Sequence, residues 1–148
     1  ADPLRDQLFT ACRGAGAMLN HSSLQTTGVA TLDEVMLGFD TPRDAEGRRR
    51  MWMELGGLLE QVRTIRATGS AALNMAYVAA GWLDLYTGFS IEPWDQAAAA
   101  LLVIEAGGAV GTVSGSPWSP FVRDPVMAAS AELLEAFRLR SRPVEPAL

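Results

Sequence analysis

Strand-length apolar runs alternating with helical stripes predict an α/β fold, layered around a mixed sheet and led by a β-hairpin. Two stretches carry most of that expectation. Val62–Ile65 passes through Gly69 into a helical pattern, and Trp82–Tyr86 passes through Pro93 into another. A third observation is the pair of short runs near the end, Ala109–Val113 and Val126–Ala129, which add strands without an intervening helix.

In chain order, Gln7–Cys12 alternates as a strand, Arg13-Gly14-Ala15-Gly16 supplies a turn, and Ala17–Leu19 returns toward Asn20. Such a hairpin is marginal alone, so it is expected to belong to a larger sheet. Glu34–Phe39 has the length of a buried strand. Pro42 then falls near a helix start, with Asp44 and Glu46 in a first turn where the dipole favours acids. Met51, Leu55, Leu58 and Leu59 continue that stripe to about Glu60, and Val62–Ile65 is the next strand. Gly69–Gly81 is the clearest helix, with Ala72, Met75, Ala76 and Ala79 on one face, small enough for close approach to a neighbour. Trp82–Tyr86 reads as a strand and Gly88–Pro93 as a loop. Trp94–Ala106 is a nearly all-apolar helix ended by Gly107-Gly108, and its uniform apolarity predicts a central position. Ala109–Val113 and Val126–Ala129 flank a loop with Gly115, Pro117 and Pro120; Glu132–Leu139 is a last amphipathic helix. Residues 1–30 are expected to be the hairpin remnant of a catalytic domain, 31–140 an α/β substrate domain, and 141–148 a flexible tail.

Composition limits the function classes. The 148 residues are 49% hydrophobic and 20% charged, which suits a globular chain with a real core. A formal charge of −5 argues against nucleic acid as the main partner. The basic run Arg48-Arg49-Arg50 beside Asp44 and Glu46 reads as a solvated helix face. The greasiest stretch, Ala97–Ile104, is far too short for a membrane span. Ala1-Asp2-Pro3 has no signal-peptide character. Cys12 is the only cysteine, so no disulfide framework arises within the chain, and a reducing cytoplasm is the expected setting.

Two segments could carry chemistry. Asp95 falls in the first turn of a helix introduced by Pro93, where it either charges the helix start or faces a cleft as a ligand for a hard cation; the spacing allows both. Arg66-Ala67-Thr68-Gly69-Ser70-Ala71-Ala72 runs from strand to helix N-terminus, so Thr68 or Ser70 either caps the helix or joins backbone N–H groups in holding a polar or anionic ligand. Other signals fall away. Gly14-Ala15-Gly16 lacks the third glycine of a dinucleotide fingerprint and sits in a hairpin. His21, the only histidine, reads as a surface loop residue, and Trp118 and Phe121 as loop cover.

Taken together, these segments resemble the inositol monophosphatase family. Arg66–Asp84 looks like the family's Gly-Ser/Thr-Ala-Ala helix with its Ala-x-Gly-x-Leu-Asp ending. Pro93–Gly108 looks like its Trp-Asp and Glu-Ala-Gly-Gly signature, and Asp2–Asn20 is similar to the stretch before the substrate half. The resemblance implies a layered sugar-phosphatase fold, a homodimer, and Mg2+-dependent hydrolysis of a small-molecule phosphate monoester. By position it makes Asp95 a metal ligand lying near a substrate hydroxyl. Gly69, Ser70 and Ala71 match the substrate-contacting helix start, and Arg66 a basic position close to the substrate.

Two departures qualify this. The family's Asp-Pro-x-Asp-Gly-Thr signature, which carries most metal ligands, is absent: Asp2-Pro3-Leu4 is followed by Arg5-Asp6-Gln7. The chain is therefore expected to hold the C-terminal half of the enzyme, with Asp2 a loop residue and no complete catalytic set. Gly88 stands where many inositol-specific members place a Glu, so the substrate is expected to be inositol phosphate or a related sugar or polyol phosphate. The alternatives are a relative acting on histidinol phosphate, nucleotide bisphosphate or fructose bisphosphate, or a non-catalytic interaction fragment.

Overall fold

In the computed structural model, which describes residues 1–140, the alternation after Leu8 closes a small antiparallel sheet. It consists of β1 (Phe9–Cys12), β2 (Gly16–Leu19) and β3 (Ser22–Ser23), in that order. The expected hairpin is present, with Phe9 opposite Leu19 and Cys12 opposite Gly16. It begins at Phe9 rather than Gln7 and gains a third strand, because the chain reverses again at Asn20. There the Leu8 N–H donates to Asn20 Oδ1 at 2.8 Å, and Asn20 Nδ2 donates to the Asp6 carbonyl at 3.0 Å.

The main sheet contains β4 (Met36–Phe39), β5 (Thr64–Arg66), β6 (Leu85–Thr87), β7 (Ala109–Thr112) and β8 (Pro125–Ala128), ordered β5-β4-β6-β8-β7. β4 runs parallel to both β5 and β6, whereas β8 is antiparallel to β6 and β7, so the sheet is mixed as expected. Four helices cover it: α1 (Ala45–Leu59), α2 (Ala71–Ala79), α3 (Pro93–Glu105) and α4 (Ala131–Arg140).

Strand alternation divides the core in two. Leu37, Phe39, Leu85, Val126 and Ala128 meet Met51, Leu55 and Leu58 of α1 and Leu133, Leu134 and Phe137 of α4. Tyr86 and Met127 point the other way, onto Met75, Val78 and Ala79 of α2 and Ala99, Ala100 and Val103 of α3. The small sheet lies beyond α3, and its Ala17 joins this second core. The layers are thus α1 and α4, the main sheet, α2 and α3, then the small sheet. None of these helices is long and apolar enough to cross a membrane.

Several boundaries move for local reasons. The strand expected at Trp82–Tyr86 starts at Leu85, because the backbone N–H groups of Trp82 and Leu83 still bond to the Tyr77 carbonyl around Gly81, whose φ is +67°. The strand expected at Val62–Ile65 starts at Thr64, since the Val62 N–H still reaches the Leu58 carbonyl at the end of α1. A turn of 3-10 helix, Leu32–Glu34, replaces the start of the strand expected from Glu34. Asp44 is the N-cap of α1, accepting from the Gly47 N–H at 2.7 Å, one step earlier than a first-turn position. α3 is not buried all round: Ala97, Ala98 and Ile104 face outward, small alanines being nearly as content in water as in a core. Trp118 does cover its loop, donating from Nε1 to Oε1 of the buried Gln96 at 2.9 Å. The expected tail, 141–148, lies outside the described residues.

Candidate functional site

β4 lies between its two parallel neighbours, so the chain leaves it for β5 on one side and then returns past it to β6 on the other. The connecting helices fall on opposite faces: α1 with the first core, α2 with the second. Between such diverging connections a crevice opens at the carboxyl ends of the strands. Here it is an open cleft of about 860 Å³ whose walls are the segments that follow β4, β5 and β6.

The segment after β5 contributes Gly69, Ser70 and Ala71. Gly69 has φ +81°, with open space where a Cβ would point, so backbone conformation alone selects glycine. Ser70 is the N-cap of α2: its Oγ accepts from the Leu73 N–H at 3.4 Å. That settles its capping role, and the same residue lines the cleft. Arg66 does not line it. Its guanidinium turns back along β5, donating from Nη1 to Thr64 Oγ1 and to the Ile65 carbonyl, each at 2.8 Å.

The segment after β6 brings Phe89, Ser90, Glu92 and Asp95 to the cleft. Ser90 has φ +63°, unusual for a side chain other than glycine. Asp95 takes the helix-start role that its position allowed and also lines the cleft. One oxygen, Oδ2, accepts from the Glu92 N–H at 3.3 Å and so fixes the start of α3. Oδ1 has no hydrogen-bond partner among the described residues, and the residue lines the cleft. Glu92 is itself paired with Arg123 at 2.8 Å.

The segment after β4 supplies a carboxylate that sequence reasoning missed. Asp40 Oδ2 accepts from Asn74 Nδ2 at 3.1 Å and from the Tyr86 hydroxyl at 3.2 Å, and Asn74 Oδ1 accepts from Thr68 Oγ1 at 2.8 Å. Burial, and next the Asp40 charge, push the Tyr86 phenol far above its ordinary range, so it stays a proton donor. An acidic residue just past an apolar strand that enters a parallel sheet was the available signal. Its partners lie 34 and 46 residues away and could not be read locally.

Four carboxylates (Asp40, Asp44, Glu92, Asp95) and one guanidinium (Arg43) line the cleft. The balance favours cations and hydroxyl donors over a bare anion. A magnesium ion needs several hard oxygen ligands held together. Among the described residues no group of three or more His, Cys, Asp or Glu side chains is placed to hold one. The described residues alone therefore do not form a metal cage. Asp2 is part of a turn and does not line the cleft, its carboxylate on the Leu4 N–H at 3.1 Å and on Arg5 at 2.6 Å, and His21 is exposed.

A family model described as Inositol monophosphatase family matches residues 1–142. A protein of Xylella fastidiosa named Nus factor SuhB is 45% identical over 117 residues, covering 78% of this chain and 42% of its own. The inositol-1-monophosphatase of Bacillus subtilis is 34% identical over 132 residues, covering 89% of this chain and 50% of its own. Among solved structures, the extragenic suppressor protein suhB from Bartonella henselae superposes with a TM-score of 0.87 at 30% identity, over 95% of this chain and 54% of that one. The chain thus spans about half the length of the relatives it matches.

Proposed function

Since the chain belongs to the inositol monophosphatase family, we propose that it is the substrate-facing half of a magnesium-dependent phosphatase acting on the phosphate monoester of a sugar or polyol. The observation that carries this reading is the convergence of Gly69, Ser70, Ala71 and Asp95 on one cleft at the carboxyl ends of the parallel strands.

In this reading each residue has a definite task. The start of α2 directs backbone N–H groups and the positive end of its dipole at a polar group of the substrate. Asp95, held by the Glu92 N–H through one oxygen, offers the other to a substrate hydroxyl or to one magnesium ion. Arg66, which does not line the cleft, contributes only its charge. A magnesium ion would supply positive charge for the phosphoryl oxygens and acidity for a bound water, with Asp95 as one ligand and the others supplied from outside the described residues. Gly88 supplies no carboxylate to a sugar ring, so inositol phosphate shares the field with related sugar and polyol phosphates. The homodimer, the division at residue 30 and a cytoplasmic setting belong to the same proposal.

Phosphate release by the full-length protein tests it, with inositol monophosphate, histidinol phosphate, fructose bisphosphate and a nucleotide bisphosphate, with magnesium and with chelator. Turnover of a sugar or polyol monoester that chelation abolishes is the expected result. A second reading, a non-catalytic interaction module, is favoured by the relatives named Nus factor SuhB. Absence of turnover on every member of the panel would select it.

A further inference from the structure

We propose that Asp40 reads the hydroxyl groups on the alcohol portion of the substrate, standing in for the side chain that Gly88 lacks; this rests on the phosphatase reading above. Gly88 has no room for a side chain. A Cβ there would stand 2.5 Å from Ile91 Cγ1 and 2.7 Å from the Tyr86 hydroxyl oxygen. Ile91 is 7% exposed and Tyr86 0%, so a side chain at 88 would have to displace two packed neighbours. Position 88 is closed to a carboxylate, and the Tyr86 phenol occupies the space instead.

That phenol positions a different carboxylate. Together with Asn74 it fixes Oδ2 of Asp40 by two hydrogen bonds, and Thr68 fixes Asn74 in turn. The donors come from β6 and α2, both packed into the second core, so Asp40 is held by rigid elements although it follows the end of a strand. Oδ1 has no hydrogen-bond partner among the described residues, and Asp40 lines the cleft. An ionised carboxylate is an acceptor only. It binds hydroxyl groups by strong charge-assisted bonds and repels phosphate, which suits the alcohol end of a monoester and not its phosphoryl end.

The test compares two substrates of the full-length protein: a sugar or polyol monophosphate, and phenyl phosphate, whose alcohol portion has no further hydroxyl group. In Asp40→Asn the ratio of kcat/KM for the first to kcat/KM for the second should fall by about 10- to 100-fold, mainly through KM. Tyr86→Phe removes only the hydroxyl that positions Asp40 and should lower the same ratio by less. It carries the test if a melting curve shows Asp40→Asn unfolded. A ratio within about twofold of wild type in the folded variants overturns the proposal, as does an equal loss on both substrates. Wild-type turnover with an unmoved ratio defeats Asp40 alone, whereas no wild-type turnover of either substrate defeats the phosphatase reading and Asp40 with it.

Discussion

Asp95 holds the start of α3 through Oδ2, and the ligand role proposed for Oδ1 can be separated from it by substitution. Asparagine keeps an oxygen for the Glu92 N–H but loses the charge, so Asp95→Asn should leave the start of α3 intact. Turnover of the full-length protein is nevertheless expected to fall at least about 10- to 100-fold, the scale seen even for residues that only support a metal ligand. Phosphate release beside a melting curve reads both; full activity in the variant would reduce Asp95 to a helix-starting residue. Gly69 poses a purely conformational question. Its φ of +81° with nothing near the absent Cβ means that alanine brings backbone strain and no clash. Gly69→Ala should cost about 1–2 kcal/mol in urea unfolding. The same residue scale shows what a sequence can hide. Ser70 and Asp95 were legible because each sits at a helix start, where local spacing carries the signal. Asp40 was not, because what makes it a site residue is the arrival of Asn74 and Tyr86 from distant elements.

The elements most exposed to a change of conditions are the hairpin strands, held to the body of the fold largely through α3. Glu105, in its last turn, accepts from the Gly14 N–H at 2.8 Å and from the Gly16 N–H at 3.0 Å. These two bonds, Gly14 first, hold its carboxyl below the ordinary carboxylate range. A carboxyl lowered by folding adds stability that is present above its unfolded pKa, near 4.5, and lost as pH falls through the lower folded value. Amide exchange of Gly14 and Gly16 should therefore accelerate as pH drops through the acid range below that value, beyond the intrinsic trend. In Glu105→Gln both amides should exchange faster at neutral pH, and the acid-dependent step should vanish. An unchanged profile would mean that other contacts seat the turn. Element identity was largely visible in the alternation of apolar residues, and the edges were not. The chain from Trp82 to Asp84 reads as strand by composition, but the last turn of α2 captures Trp82 and Leu83 through the Tyr77 carbonyl. Propensity lost there to a helix exit.

At the scale of the molecule, the cleft is complete in shape and incomplete in charge. Three strand ends and three helix starts enclose it, and all of its lining comes from residues 40–95. Those walls carry four carboxylates against the single guanidinium of Arg43. Arg123 offsets Glu92, and the cap of α1 takes only Oδ1 of Asp44, which leaves Asp40, Asp44 and Asp95 each with one oxygen that has no hydrogen-bond partner among the described residues. A phosphate dianion approaching that surface meets repulsion that only added positive charge can reverse. No group of three potential ligands among the described residues can concentrate such charge as a bound ion. The 148-residue chain by itself should accordingly fold, since both cores are closed within it, yet neither bind inorganic phosphate nor release it from a monoester. Magnesium at millimolar concentration should not change this. Calorimetric titration with magnesium and then phosphate should show no saturable heat, while circular dichroism shows a cooperative melt. Magnesium-dependent turnover by the isolated chain would overturn the division of labour, because the carboxylates of this cleft would then suffice to hold the ion.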